Sequence, residues 1–208
     1  MKQGEIIAIS AFMIIALGIA FALGGPGTKP WIAWNCGALQ RCEQSPQQST
    51  ITRIDQTSQS QYINQQEYNT WYQSACSAAA ITEVLNALGG HYTIHDALSA
   101  EINAQQISPE AGMLNGFTSI QQTVNALGYQ ASQVYGGIDG IVSTANAGIP
   151  VLVSMQSSDW PGGHILVVTG GDGSTINIID SWTTNRTSFS RADFAHHWTG
   201  LAAKVVRP

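Results

Sequence analysis

The stretch from His164 to Asp180, HILVVTGGDGSTINIID, constrains the fold of this chain more than any other. Two apolar, β-branched runs, 164–170 and 174–180, flank Gly171, Asp172 and Gly173. Those three residues suit the tight turn of a hairpin, so the runs must return as antiparallel neighbours. A further strand is expected before them, IPVLVSM at 149–155, and another after them, LAAKVV at 201–206. Upstream the period changes. Residues 76–88, CSAAAITEVLNAL, carry small and apolar side chains at helical spacing and stop at Gly89-Gly90, with Ser74 as the expected cap. Thr93 and Asp96 have the spacing of a capping box for a second helix. Residues 118–127 and 138–147 read as two more helices, with a strand at 129–135 between them, and Ser190 as the cap of a short one bearing Phe194 and Trp198. Helices first and an antiparallel sheet afterwards define an α+β domain.

The N-terminus is of another kind. From Ile6 to Leu23 the chain is apolar except for Ser10 and Gly18. At about 1.5 Å per residue such a helix covers most of a bilayer core of about 30 Å. Two readings stay open, a retained transmembrane anchor and a signal segment cleaved near Ala20, Ala22 and Gly24. Lys2 favours the N-terminal end staying inside, which puts the remainder outside the cell membrane, or secretes it if the segment is cut. The expected organisation is an anchor or signal segment over 1–24, an extracytoplasmic linker or arm over 25–66, and a globular domain over 67–208. The arm rests on the Gln, Ser and Thr richness of 43–66, with residues near 51–54 as a candidate edge strand.

Charge and cysteine usage narrow the function. Only 10% of residues are charged, the net charge is −5, and there is no basic run. A nucleic-acid surface needs clustered Lys and Arg and is not expected. Neither CxxC nor HExxH spacing occurs, so no metal or other cofactor is expected. Three cysteines are present, Cys36, Cys42 and Cys76. Cys36 and Cys42 bracket a five-residue loop and are candidates for a small disulfide, which leaves Cys76 alone; the alternative is that all three are unpaired.

Cys76 stands at a predicted helix start, where free N–H groups and the helix dipole favour the thiolate. His164 follows Pro161-Gly162-Gly163 and opens a strand, in a position to exchange protons near neutral pH. Asp180 ends the partner strand. With Asp172 as the centre of the turn, position 180 falls opposite 164, which sets a carboxylate beside the imidazole. Trp182 is placed to shield that pair from water.

The segments YNTWYQSACSAAAITEVLNALGG and PGGHILVVTGGDGSTINIIDSW resemble the papain-like cysteine peptidases related to the double-glycine-leader peptidases of bacteriocin exporters. The resemblance covers about 66–206 and includes no transporter segment. It implies a papain-like fold with the helices packed on the sheet, and a peptidase acting through a thioester with Cys76, His164 and Asp180 as its triad. In that pattern a Gln about six positions before the Cys donates to the oxyanion; here Thr70 stands there. Gln73 and Asn69 are the side-chain candidates for that task. The expected substrate is a peptide. Two alternatives are a cell-wall peptidoglycan amidase or endopeptidase of the same fold, and a catalytically silent module that binds a peptide or partner.

Overall fold

A computed structural model describes residues 51–157 and 160–208. The apolar run at 6–23, the candidate anchor or signal segment, and the Cys36–Cys42 pair lie outside these residues. Among those described, no helix is long and apolar enough to cross a membrane.

Helices dominate the first half: α1 (Gln65–Trp71), α2 (Cys76–Ala87), α3 (Ile94–Asn103), α4 (Phe117–Ala126) and α5 (Gly137–Asn146). A two-residue ladder, β1 (Ile107–Ser108) with β2 (Gly112–Met113), interrupts them. The main sheet comprises β3 (Gln130–Gln133), β4 (Val151–Ser157), β5 (Trp160–Gly171), β6 (Thr175–Ile179), β7 (Ser188–Ser190) and β8 (Trp198–Val206), with α6 (Arg191–His197) before the last. Its order is β3-β8-β4-β5-β6-β7, with every neighbouring pair antiparallel. This is the expected α+β architecture. The Thr93–Asp96 capping box is formed, and Ser190 caps α6 by accepting from the Asp193 N–H. Ser74 does not cap α2: the N-cap is Ala75, and the Ser74 hydroxyl donates to the Trp71 carbonyl instead.

The period-2 pattern of the strands divides the core in two. Leu152, Ile165, Val167, Ala203 and Val205 face α2, α3 and α4, where Ile81, Leu85, Ile94, Leu98 and Ile120 are fully buried. Val151, Val153, Leu166 and Val168 face the other way, against Ile141 and Val142 of α5 and Phe194 of α6. Helices therefore cover both faces of the sheet, and α2 lies directly on β5.

Three further sequence expectations change. Residues 51–66 are not a loose arm. Ile51 and Ile54 pack on the α2 core, Tyr62 is buried, and Gln56 is wholly buried. Arg53, Asp55, Gln56 and Thr57 spend their polar side chains on internal hydrogen bonds, which a reading of composition takes for a solvated linker. Residues 51–54 also join no strand of the sheet. The β5–β6 register differs as well. Gly170 pairs with Asn177 and Gly171 with Ile176, but beyond a bulge Val168 pairs with Ile178 and Val167 with Ile179. Asp180, next after Ile179, thus falls beside Leu166 rather than His164, two residues from the expected register. A two-residue offset keeps both side chains on one face, and the pair meets on the diagonal.

Candidate active site

Cys76 is the first residue of α2 and is 8% exposed. Burial pushes its thiol up. The hydrogen bond and positive charge of His164, with the backbone N–H groups of Ile165 and Ser77, outweigh burial and bring it below the ordinary thiol value. Helix start and strand backbone together make an anion pocket for the sulfur.

His164 reaches this pocket from β5. Gly163 before it, within β5, has φ +82°, a backbone that residues other than glycine rarely adopt, so the strand is kinked there at a position that favours glycine. The imidazole is buried. Its Nε2 lies 2.8 Å from Asp180 Oδ1, and the ring also interacts with the Cys76 thiol. Burial works against the imidazolium. The hydrogen bonds to Asp180 and Cys76 and the negative charges of both prevail, holding His164 up to about 9. The face of the ring is covered by Trp160, stacked at 5.0 Å with 19° between planes. Arg186 lies over the same indole at 5.3 Å.

Asp180 is wholly buried, and the turn after β6 closes around its carboxylate. Oδ1 also accepts the Trp182 N–H at 2.9 Å; Oδ2 accepts the Thr184 hydroxyl at 2.9 Å and the Arg186 N–H at 3.3 Å. Burial raises this carboxyl, but His164, Trp182 and Thr184 hold it below the ordinary value. Three sequence-predicted residues are thus brought together as thiol, imidazole and carboxylate, each with its partner. Such a group can transfer an acyl chain to sulfur and pass the proton through the ring.

A cleft of about 700 Å³ opens above them, with Tyr72, Trp160, Trp182 and Met113 among its walls and Gly162-Gly163 at its edge. Trp182 thus lines the cleft, while Trp160 covers the ring. Gln73 lines it too, with its Nε2 donating 2.7 Å to the Tyr72 hydroxyl. Asn69 does not: it lies exposed on α1 and its Oδ1 accepts from Gln65 Nε2. Of the two amides expected near the oxyanion, only Gln73 is at the cleft.

Two carboxyls stand behind the site. Glu83, two turns along α2 from Cys76, accepts the Ile54 N–H through Oε1 at 2.8 Å. Glu101 of α3 is fully buried with no hydrogen bond of normal geometry at either oxygen. Burial raises both to about 8, so both are largely protonated at neutral pH. Sequence reasoning missed these, along with Trp160, Thr184, Arg53 and Gln56. The one usable signal was a polar residue at a core position of a predicted helix, as at Glu83 and Glu101. His91, His95, His196 and His197 stay outside the site; His95 Nδ1 instead lies 2.8 Å from Glu67. Among the described residues no three His, Cys, Asp or Glu side chains are grouped to hold a metal ion.

A helix-borne thiol facing a strand-borne imidazole and carboxylate, with the helix packed on an antiparallel sheet, defines the papain-like class of cysteine hydrolase folds. The chain belongs to the Peptidase_C39 like family, whose model matches residues 56–205. Family and fold alike are those of cysteine peptidases. Among solved structures, one similar in fold is the peptidase domain of Streptococcus ComA, a bi-functional ABC transporter involved in a quorum sensing pathway. The two are 19% identical over 65% of this chain and 93% of that one, with a TM-score of 0.55. Another is a Bacillus anthracis protein described as a C39-like peptidase, 15% identical over 77% of this chain and 96% of that one, with a TM-score of 0.53. No curated protein sequence gives a significant match.

Proposed function

We propose that this protein hydrolyses peptide bonds through Cys76, His164 and Asp180. The observation that carries the reading is the imidazole itself, bonded to Asp180 through Nε2 and interacting with the Cys76 thiol, on the floor of a cleft. The Cys76 thiolate attacks the scissile carbonyl carbon, forming a C–S bond and an oxyanion. His164, as imidazolium, gives its proton to the leaving amine nitrogen as the C–N bond breaks, leaving a thioester. Water then attacks the thioester carbonyl while His164 takes its proton; the acid departs, and the proton restores the starting thiolate–imidazolium pair. Asp180 holds the ring tautomer and steadies its charge throughout. The oxyanion is received by the backbone N–H of Cys76 and by Gln73. The peptide lies in the cleft between Trp182 and the glycine edge, where backbone approach is unhindered.

The proposed setting is extracytoplasmic and membrane-tethered, on the strength of the apolar run at 6–23 and Lys2 before it. Incubation of the protein with a peptide library, read by mass spectrometry, tests the activity; cleavage must vanish in Cys76→Ala and His164→Ala. Cleavage that survives in either variant refutes the mechanism. An accessibility assay on intact cells tests the tether: protease added outside must remove the domain.

A further inference from the structure

Arg53 and Gln56 do not line the cleft, yet they hold the turn that carries Asp180. The Arg53 guanidinium donates through Nε to the Asp180 carbonyl and through Nη2 to the Trp182 carbonyl, each at 2.7 Å. Gln56 donates its backbone N–H to the Ser181 carbonyl at 3.0 Å, and its side-chain oxygen accepts the Ser181 hydroxyl at 2.7 Å. Its amide nitrogen reaches the Tyr72 carbonyl at 2.9 Å, and the Ile54 N–H is fixed on Glu83 of α2. The strap is thus tied at one side to the helix of the nucleophile and at the other to three consecutive residues beginning at Asp180. Trp182 is gripped on both sides: its N–H points to the Asp180 carboxylate and its carbonyl to Arg53.

We propose that Arg53 is a positioning residue whose planar fork, spanning the Asp180 and Trp182 carbonyls, sets the turn that aims the Asp180 carboxylate at His164. A fork with fixed spacing between its donors can hold two carbonyls at once; a lysine ammonium holds them as a point charge without that geometry. The inference rests on the reading of Cys76 and His164 as the reacting pair. The groups facing His164 are Cys76 from α2, Asp180 from the turn and Trp160 from its own strand, with the Glu83 carboxyl also acting on Arg53, Asp180 and His164. The Arg53 side chain is 26% exposed and lies outside the buried core.

The experiment follows alkylation of Cys76 by iodoacetate across pH on the full chain, with the Cys76 peptide quantified by mass spectrometry. The imidazolium draws in this anionic reagent, so the upper limb of the profile reports loss of the His164 proton. Arg53→Ala should lower that limb by about one pH unit as the carboxylate loses aim, Arg53→Lys by less, and Arg53→Ala should add nothing in an Asp180→Asn background. A wild-type limb in Arg53→Ala, or an equal fall with and without Asp180, overturns the proposal. If Arg53→Ala fails to fold, Arg53→Lys is compared in the two backgrounds with the same criteria. A Cys76 rate indifferent to His164→Ala would instead sink the reading of the reacting pair.

Discussion

Replacing Asp180 by Asn removes one buried charge and little else. The Asn oxygen can still accept from His164 and Trp182. Its NH2 group then faces the Thr184 hydroxyl, which can turn to accept, and the Arg186 N–H, whose 3.3 Å bond is lost. The electrostatic change is larger. Carboxylate and imidazole are joined at 2.8 Å, and both are buried. With charge centres about 5 Å apart and an effective dielectric of about 20, their attraction is roughly 3 kcal/mol, or roughly two pH units in the proton affinity of the ring. The sign is fixed: the carboxylate favours imidazolium, so its loss frees the proton at lower pH. In the iodoacetate assay on Cys76 the upper limb, set by His164 at about 9, should fall to roughly 7 in Asp180→Asn. Neutral-pH alkylation should slow as the thiolate–imidazolium pair gives way to neutral thiol and imidazole. An upper limb unchanged from wild type would refute the view that Asp180 holds the charge on His164.

Gln73→Ala should lower kcat/KM for a cleaved peptide by about 10²–10³ with little change in Cys76 alkylation, because the amide serves the oxyanion and not the thiolate; equal loss in both assays contradicts that role. Trp160→Ala uncovers the His164 ring and should cost about three- to tenfold in kcat/KM, as expected for a stacked aromatic pair, with Trp160→Phe retaining most of the rate. Glu101 has its folded-state value raised from 4.5 to about 8, so the protein should lose stability as pH rises through that window, by up to about 1.4 kcal/mol per pH unit. Urea unfolding of Glu101→Gln should show a flatter pH dependence than wild type; parallel curves would mean that Glu101 ionises freely in the folded protein.

What the sequence disclosed, and what it hid, follows from the range of the forces involved. Helix α2 and the β5–β6 hairpin were legible because apolar period and turn glycines act locally; Cys76 opens that helix and Asp180 directly follows β6, while His164 lies within β5, which starts four residues earlier than the apolar run suggests. Arg53 and Gln56 were not, since their partners lie on residues 180–182, more than a hundred positions away. A Gln and Ser-rich segment looks solvated until the carbonyls it satisfies are known. Thr184 and Arg186 were hidden for a related reason: their donors converge on Asp180 only once the turn has closed. The two-residue ladder of β1 and β2 carries no periodicity to detect.

The bulge between Val168 and Gly170 bears on how this hairpin tolerates changes of length. Thr169 is the extra residue there. Were the pairing of Gly171 with Ile176 and Gly170 with Asn177 continued with Thr169 in the ladder opposite Ile178, Asp180 would stand beside Val167, whose side chain points to the α2 core on the opposite face from Leu166. Holding this one residue out of the ladder therefore keeps the imidazole and the carboxylate on the same side of the sheet. Deletion of Thr169 should straighten the ladder and keep Asp180 beside Leu166, so the thiol, imidazole and carboxylate group should survive it, whereas a Thr169 drawn into the ladder opposite Ile178 would disconnect the imidazole with every residue of the group still in the chain.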